Sequence, residues 1–152
     1  MSRIPDLGTK YANLPGMIHE YDTELSEAAK RLSIRGKNLD VALQEQCAWP
    51  LFYDVKRAEL KTLVKYFDSQ KASVRGMLTR KFKENYSRDI GDRMTEKYID
   101  NEPDYLQIHG LCLEIEEIYD QYNAVMDAFK VRGFALRDLT EAKVASIHNS
   151  LI

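Results

Sequence analysis

Apolar positions stay sparse until about residue 22. Over residues 1–21, Pro5, Gly8, Pro15 and Gly16 stand among few hydrophobic side chains, a pattern that predicts an extended or irregular arm. From Asp22 or Thr23, either able to cap a helix, apolar or small residues recur at Leu25, Ala29, Leu32, Gly36, Leu39, Leu43 and Cys47. Steps of three and four place these on one helical face, with Gly36 a point of bending or close approach. Pro50 suits the first position of a second helix better than the interior of the first. That second helix runs from about Leu51 through Tyr66 and Phe67 toward Tyr86. Phe52, Val55, Val64, Phe67, Val74, Leu78 and Phe82 form its apolar side, and Gly76 is a weak point within it. Residues 87–101 are polar and predict a short turn or helix followed by a connection.

The strongest periodicity comes last. Ile108, Leu111, Ile115, Ile118, Tyr122, Val125 and Phe129 alternate by three and four without interruption. Asn101 and Pro103 suit the start of this helix, Gly133 its end. Such a seam must be covered by another helix, which marks these seven residues as candidates for oligomerisation. A short final helix would follow, with Leu139, Val144, Ile147 and Leu151 apolar, and together with the seam it is expected to supply the subunit contacts. The expected class is therefore all-α, with long helices and a heptad-patterned carboxyl-terminal one. Three regions are expected: an arm over 1–21, a helical region over 22–100, and the long helix with its short successor over 101–152.

Composition narrows the functional classes. Of 152 residues, 44% are hydrophobic, too many for a disordered chain, and seven Gly and four Pro are too few for a many-stranded sheet. No apolar run approaches the roughly 18–20 residues needed to cross a bilayer, and the first residues lack a secretory pattern. Cys47 and Cys112 cannot make a disulfide framework, so free thiols in a reducing compartment are expected. His109 and Cys112 would be half a zinc site, but no second pair follows at ligand spacing. Glu114, Glu116, Glu117 and Asp120 lack the Glu-x-x-His partners of a di-iron bundle and read as a solvated acidic face. There is no phosphate-binding glycine loop, no metal or cofactor is expected, and the chain is not expected to be an enzyme.

Charge is unevenly placed. Between Lys56 and Arg88, ten cations face three carboxylates, a net +7; from Asn101 onward four cations face nine carboxylates, a net −5. Lys56, Arg57, Lys61, Lys65, Arg80, Lys81 and Lys83 are the candidate DNA-binding residues. Tyr53, Tyr66, Phe67, Phe82 and Tyr86 are interleaved with them. Cations that follow phosphates and aromatics that stack on bases are the ingredients of single-strand binding without sequence readout. The alternative is a solvated helix face with the aromatics in the core.

The segment Asp127-Ala128-Phe129-Lys130-Val131-Arg132-Gly133-Phe134-Ala135 resembles the signature of the UvsY family, recombination mediators of T4-like bacteriophages. The helix from Leu106 to Gly133 is similar to the family without a gap. Glu27-Ala28-Ala29, Lys56-Arg57, Leu60-Lys61 and Tyr66-Phe67 fall at its spacing. The likeness spans about Asp22 to Lys143, with an insertion between Asp68 and Asn101. It implies a non-enzymatic factor of the host cytoplasm, not a virion component. Such a factor binds single-stranded DNA and loosens the single-strand-binding protein. It helps a RecA-like recombinase of the UvsX type to load, and acts in recombination, repair and replication. It also implies a ring-like homo-oligomer, a hexamer or heptamer. The family links DNA binding to a Leu-Lys-x-Arg stretch; here Leu60-Lys61-Thr62-Leu63 keeps the lysine and replaces the arginine. Lys65, Arg80 and Lys81 are the residues able to compensate. Other classes are a helical structural or scaffolding protein of a phage assembly without DNA binding, and a duplex-binding regulator. The latter needs a tight helix-turn-helix that the basic region lacks.

Overall fold

A computed structural model describes residues 12–85 and 91–150, which hold four helices and no strand. They are α1 (Leu14–Leu32), α2 (Leu39–Asn85), α3 (Asp92–Asp100) and α4 (Pro103–Ser150). The all-α class holds, but several boundaries differ from expectation, and each difference has a local cause.

Residues 14–21 are helical rather than irregular. Pro15 lies in the first turn of α1, where its missing N–H costs no hydrogen bond, and the Met17 N–H reaches the Asn13 carbonyl at 3.1 Å. Residues 1–11 lie outside the described part of the chain. Lys30 and Arg31 occupy the last turn of α1, favourably placed against its carboxyl-terminal dipole.

The break expected at Pro50 falls instead at residues 33–38. Gly36 takes φ +74°, which a side chain would strain. Asn38 then caps α2: its Oδ1 accepts from the Asp40 N–H at 3.0 Å and its carbonyl from the Ala42 N–H at 3.0 Å. Pro50 lies inside α2, in a position that costs about 3 kcal/mol in an isolated helix and is carried here by tertiary packing. The stripe expected from Leu25 to Cys47 is consequently not one buried face. Tyr21, Ala28 and Ala42 are buried, whereas Leu43 and Cys47 are exposed.

At the other end, α4 does not stop at Gly133 and no separate final helix exists among the described residues. A Cβ at Gly133 would stand 3.0 Å from Gln46 Nε2, so this glycine admits a neighbouring side chain rather than ending a helix. Gly76 likewise leaves α2 unbroken. Within 87–101, the described residues include α3; residues 86–90 lie outside the description.

The chain forms two compact units, one of residues 1–57 with 121–152, the other of residues 58–120. This division does not follow sequence order, because α2 and α4 each contribute to both units. In the first unit, Tyr53 is the centre of the core. Its ring lies 5.8 Å from Tyr122 and 5.5 Å from Phe129, and Tyr21 meets Tyr122 edge-on at 5.8 Å. Gln46 bonds the Phe129 carbonyl at 2.8 Å, so as α2 advances its partners on α4 recede, and the pair is antiparallel. Burying each such ring contributes roughly 1.5–3 kcal/mol.

Arg132 is buried in this same unit and ties three segments together. Its guanidinium donates to the Leu32 carbonyl at 3.1 Å, the Ala42 carbonyl at 3.1 Å and Gln46 Oε1 at 2.8 Å, and pairs with Glu45 at 3.2 Å. It thus neutralises the open carboxyl end of α1 at the point where the chain turns.

In the second unit, Leu60, Leu63 and Phe67 of α2 and Cys112, Ile115 and Ile118 of α4 are buried. A further cluster joins Leu78 and Phe82 to Ile99 of α3 and Tyr105 of α4. Arg75 donates to the Tyr105 hydroxyl at 3.2 Å, again an antiparallel pairing of α2 with α4.

Candidate nucleic-acid interface

Helix α2 carries all seven candidate DNA-binding residues, yet the structure does not present them alike. Lys56 and Arg57 belong to the first unit. Lys56 is mostly covered, pairs with Glu20 at 3.0 Å and lies 5.8 Å from the Tyr21 ring. Arg57 is drawn to Asp54 one turn back and reaches Asn123 at 3.5 Å. Both cations are engaged within the fold.

The second unit holds the other five. Lys61 and Lys65 are exposed and lie one turn apart, because Leu60, Leu63 and Phe67 turn the opposite face of α2 into the core. Arg80 is also exposed. Among the described residues, none of these three has an ion-pair partner. Lys83 pairs with Asp92 at 2.9 Å, and the Lys81 ammonium lies 5.7 Å from the Phe82 ring. Lys65 and Lys83 are separated by about five helical turns, so they share a side of the helix roughly 27 Å apart. The unit therefore offers a line of cations along one helix; among the described residues Lys61, Lys65, Arg80 and Lys81 have no ion-pair partner.

The aromatic half of the expectation is corrected. Tyr53, Phe67 and Phe82 are core residues and have no face to offer a base. Tyr66 is half-buried and meets Phe67 edge-on at 5.0 Å, and Tyr86 lies outside the described residues. The interleaving of aromatics with cations arises because a helix alternates its buried and exposed sides every two residues or so. Leu63, two residues after Lys61, is buried at 1% exposure. A cation there would face the core, so Lys61 and its neighbour Lys65 are what this segment offers to a phosphate.

Of the seven candidate oligomerisation residues, four are taken up by the fold itself. Ile115, Ile118, Tyr122 and Phe129 are buried within a single chain, and their seam is filled by the chain's own helices. Val125 is half-buried. Ile108 and Leu111 line a groove of about 350 Å³ with Val74, Met77 and Leu78. The apolar surface left open lies farther along: every residue of 141–150 is exposed, including Val144 and Ile147, and Leu139 is half uncovered. Periodicity could not separate these cases, since the same spacing serves packing inside a chain and between chains.

Remaining chemistry is spare. His109 stacks on Tyr105 at 5.7 Å, and its Nδ1 has no hydrogen-bond partner. Burial pushes the Cys112 thiol up, aided by Asp68, so the sulfur stays a protonated apolar group. Among the described residues no three His, Cys, Asp or Glu side chains gather as a metal site, and no helix is long and apolar enough to cross a membrane. Glu114, Glu117 and Asp120 are exposed on α4, as the acidic-face reading requires, and Glu116 is half-buried.

Compared with models of known families, with curated proteins and with solved structures, the chain matches none.

Proposed function

We propose that this protein is a non-enzymatic, single-strand-binding recombination mediator of the UvsY type. In this reading it binds single-stranded DNA and eases the loading of a RecA-like recombinase onto strands held by single-strand-binding protein. One observation carries the reading: Lys61, Lys65 and Arg80 stand exposed on one helix of the second unit and, among the described residues, have no ion-pair partner. Cations held in a line with nothing to neutralise them are suited to a polyanion, and their spacing on a continuous helix requires no base sequence. Without aromatic platforms, the grip is electrostatic.

A single copy would hold a strand weakly at physiological salt, because so small a set of cations displaces few counterions. Several copies held together raise the effective concentration of the later contacts, so the strand is gripped by the sum. The exposed Leu139, Val144 and Ile147 at the end of α4 are the surface we assign to holding copies together, in place of the buried seam. The ring of six or seven copies implied by the family likeness, roughly, is one closed form of such an assembly.

Fluorescence anisotropy of a labelled oligo(dT) across a salt series tests the proposal. Lys61→Glu with Lys65→Glu is expected to weaken binding at least about tenfold and to lower the salt slope by about 1.4, two phosphate contacts' worth. Unchanged affinity and slope would remove this helix from the interface. Wild-type protein indifferent to the strand in dilute salt would favour the scaffolding reading, which the exposed end of α4 also suits.

A further inference from the structure

The second unit carries opposite charge on its two long-helix faces, and each face also carries an unexplained glycine. On α2 the exposed side presents Lys61, Lys65 and Arg80 among the small residues Ser69, Ala72 and Gly76. On α4 it presents Glu117 and Asp120 together with Leu106 and Leu113, which are 51% and 53% exposed. Among the described residues none of these charged groups has an ion-pair partner. Gly76 and Gly110 weaken their helices, yet a Cβ on either would meet nothing within 4 Å. Among the described residues nothing needs a glycine at either place. A second backbone approaching from outside would.

We infer that the acidic outer face of α4 in one copy docks on the basic outer face of α2 in a second copy, covering the cations until a nucleic acid displaces it. The two faces match in one antiparallel register. Setting Lys65 opposite Glu117 brings Leu113 over Ser69, Gly110 against Ala72, Leu106 over Gly76 and Arg80 beside Glu102. Leu113 and Leu106 then each meet a small residue, the backbones can approach where Gly110 faces Ala72, and both ends are closed by opposite charges. Lys61 falls next to Asp120 in the same register. The one misfit, Asp68 near Glu114, has Lys65 and Lys71 within a turn to offset it. A parallel register with Lys65 opposite Glu117 instead sets Asp68 against Asp120 and carries Gly76 past the acidic face.

Within the unit each helix turns its opposite side into the core, so the two faces look away from each other and the contact is heterologous: each copy offers one face to each neighbour, and the contact propagates through an assembly. Phosphates and the acidic face compete for the same cations. A short anion reaches one site only, whereas a long strand meets many at once and opens the contacts in series. This cover deepens the proposed function by supplying its regulation, but the docking itself does not depend on DNA binding.

The test uses full-length chains, unlabelled and heavy-nitrogen-labelled, mixed in equal amounts and joined with a zero-length carbodiimide. Mixed-isotope Lys65–Glu117 and Lys61–Asp120 peptides are expected at about 0.05 M salt and should fade near 0.5 M, where the charges are screened. Their absence in dilute salt overturns the inference. Lys61→Glu with Lys65→Glu, or Glu117→Lys with Asp120→Lys, should weaken association through this face about tenfold or more, and the four changes together should restore it. Loss without restoration also overturns it. Oligo(dT) should abolish the mixed peptides. If oligo(dT) binds and the peptides persist, the cover is refuted while strand binding stands. If oligo(dT) does not bind and the peptides persist, the docking stands and the mediator reading fails.

Discussion

A few residues decide what the rest of the chain can do, and Arg132 is the clearest. In sequence it belongs to the segment that resembles a family signature, beside Lys130, and reads as one more cation. In the fold it is a buried clamp joining the end of α1, the start of α2 and α4. Removing it takes a donor from the Leu32 and Ala42 carbonyls and from Gln46 Oε1, and leaves Glu45 to Lys37 alone, so Arg132→Ala is expected to cost about 3–5 kcal/mol in urea unfolding. Arg132→Lys should recover little, because one ammonium cannot span acceptors on three segments. The tyrosines at the core of the same unit make a second prediction. Burial pushes the phenols of Tyr53 and Tyr122 up, Tyr53 against the pull of Arg31. A phenol whose folded pKa exceeds its unfolded value near 10 gives stability that is complete below about pH 10 and is lost as pH rises beyond it. Unfolding free energy should therefore hold level up to about pH 10 and then fall. Tyr122→Phe, which removes the hydroxyl that donates to the Tyr21 carbonyl at 3.0 Å, should make that fall shallower. An unchanged alkaline profile would count against this account.

At the scale of the element, glycine and proline show why helix boundaries shifted. Gly36 and Gly76 are the same residue in similarly polar surroundings, yet one ends a helix region and the other lies within one. Gly36 has positive φ, so Gly36→Ala is expected to destabilise by about 1–2 kcal/mol. Gly76 is helical with open space about it, so Gly76→Ala is expected to stabilise by about 1 kcal/mol. Thermal unfolding of the two variants at low protein concentration checks both signs at once. Shifts in the same direction would contradict the local geometry. Pro50 makes the converse point, since a residue that breaks an isolated helix sits inside one when packing on both sides holds the backbone.

At the scale of the whole molecule, charge segregation is the property from which function is argued. The +7 stretch and the −5 stretch were legible as runs of residues. Their consequence depends on which cations the fold itself neutralises. Lys56, Arg57 and Lys83 have acidic partners within their own units, while Lys61, Lys65, Arg80 and Lys81 have none among the described residues. The salt-slope experiment reads this distinction directly, because only counterions released by free cations contribute to it.

Helical class, the long carboxyl-terminal element and the polarity of charge along the chain follow from residue spacing, a local property written in order. Where helices break, which apolar seam is filled by the chain's own helices, and which cations remain free were decided by tertiary contacts. Those contacts join residues as far apart as Gln46 and Phe129, or Leu32 and Arg132. Spacing tells a helix that one face must be covered; only the packed chain determines what covers it.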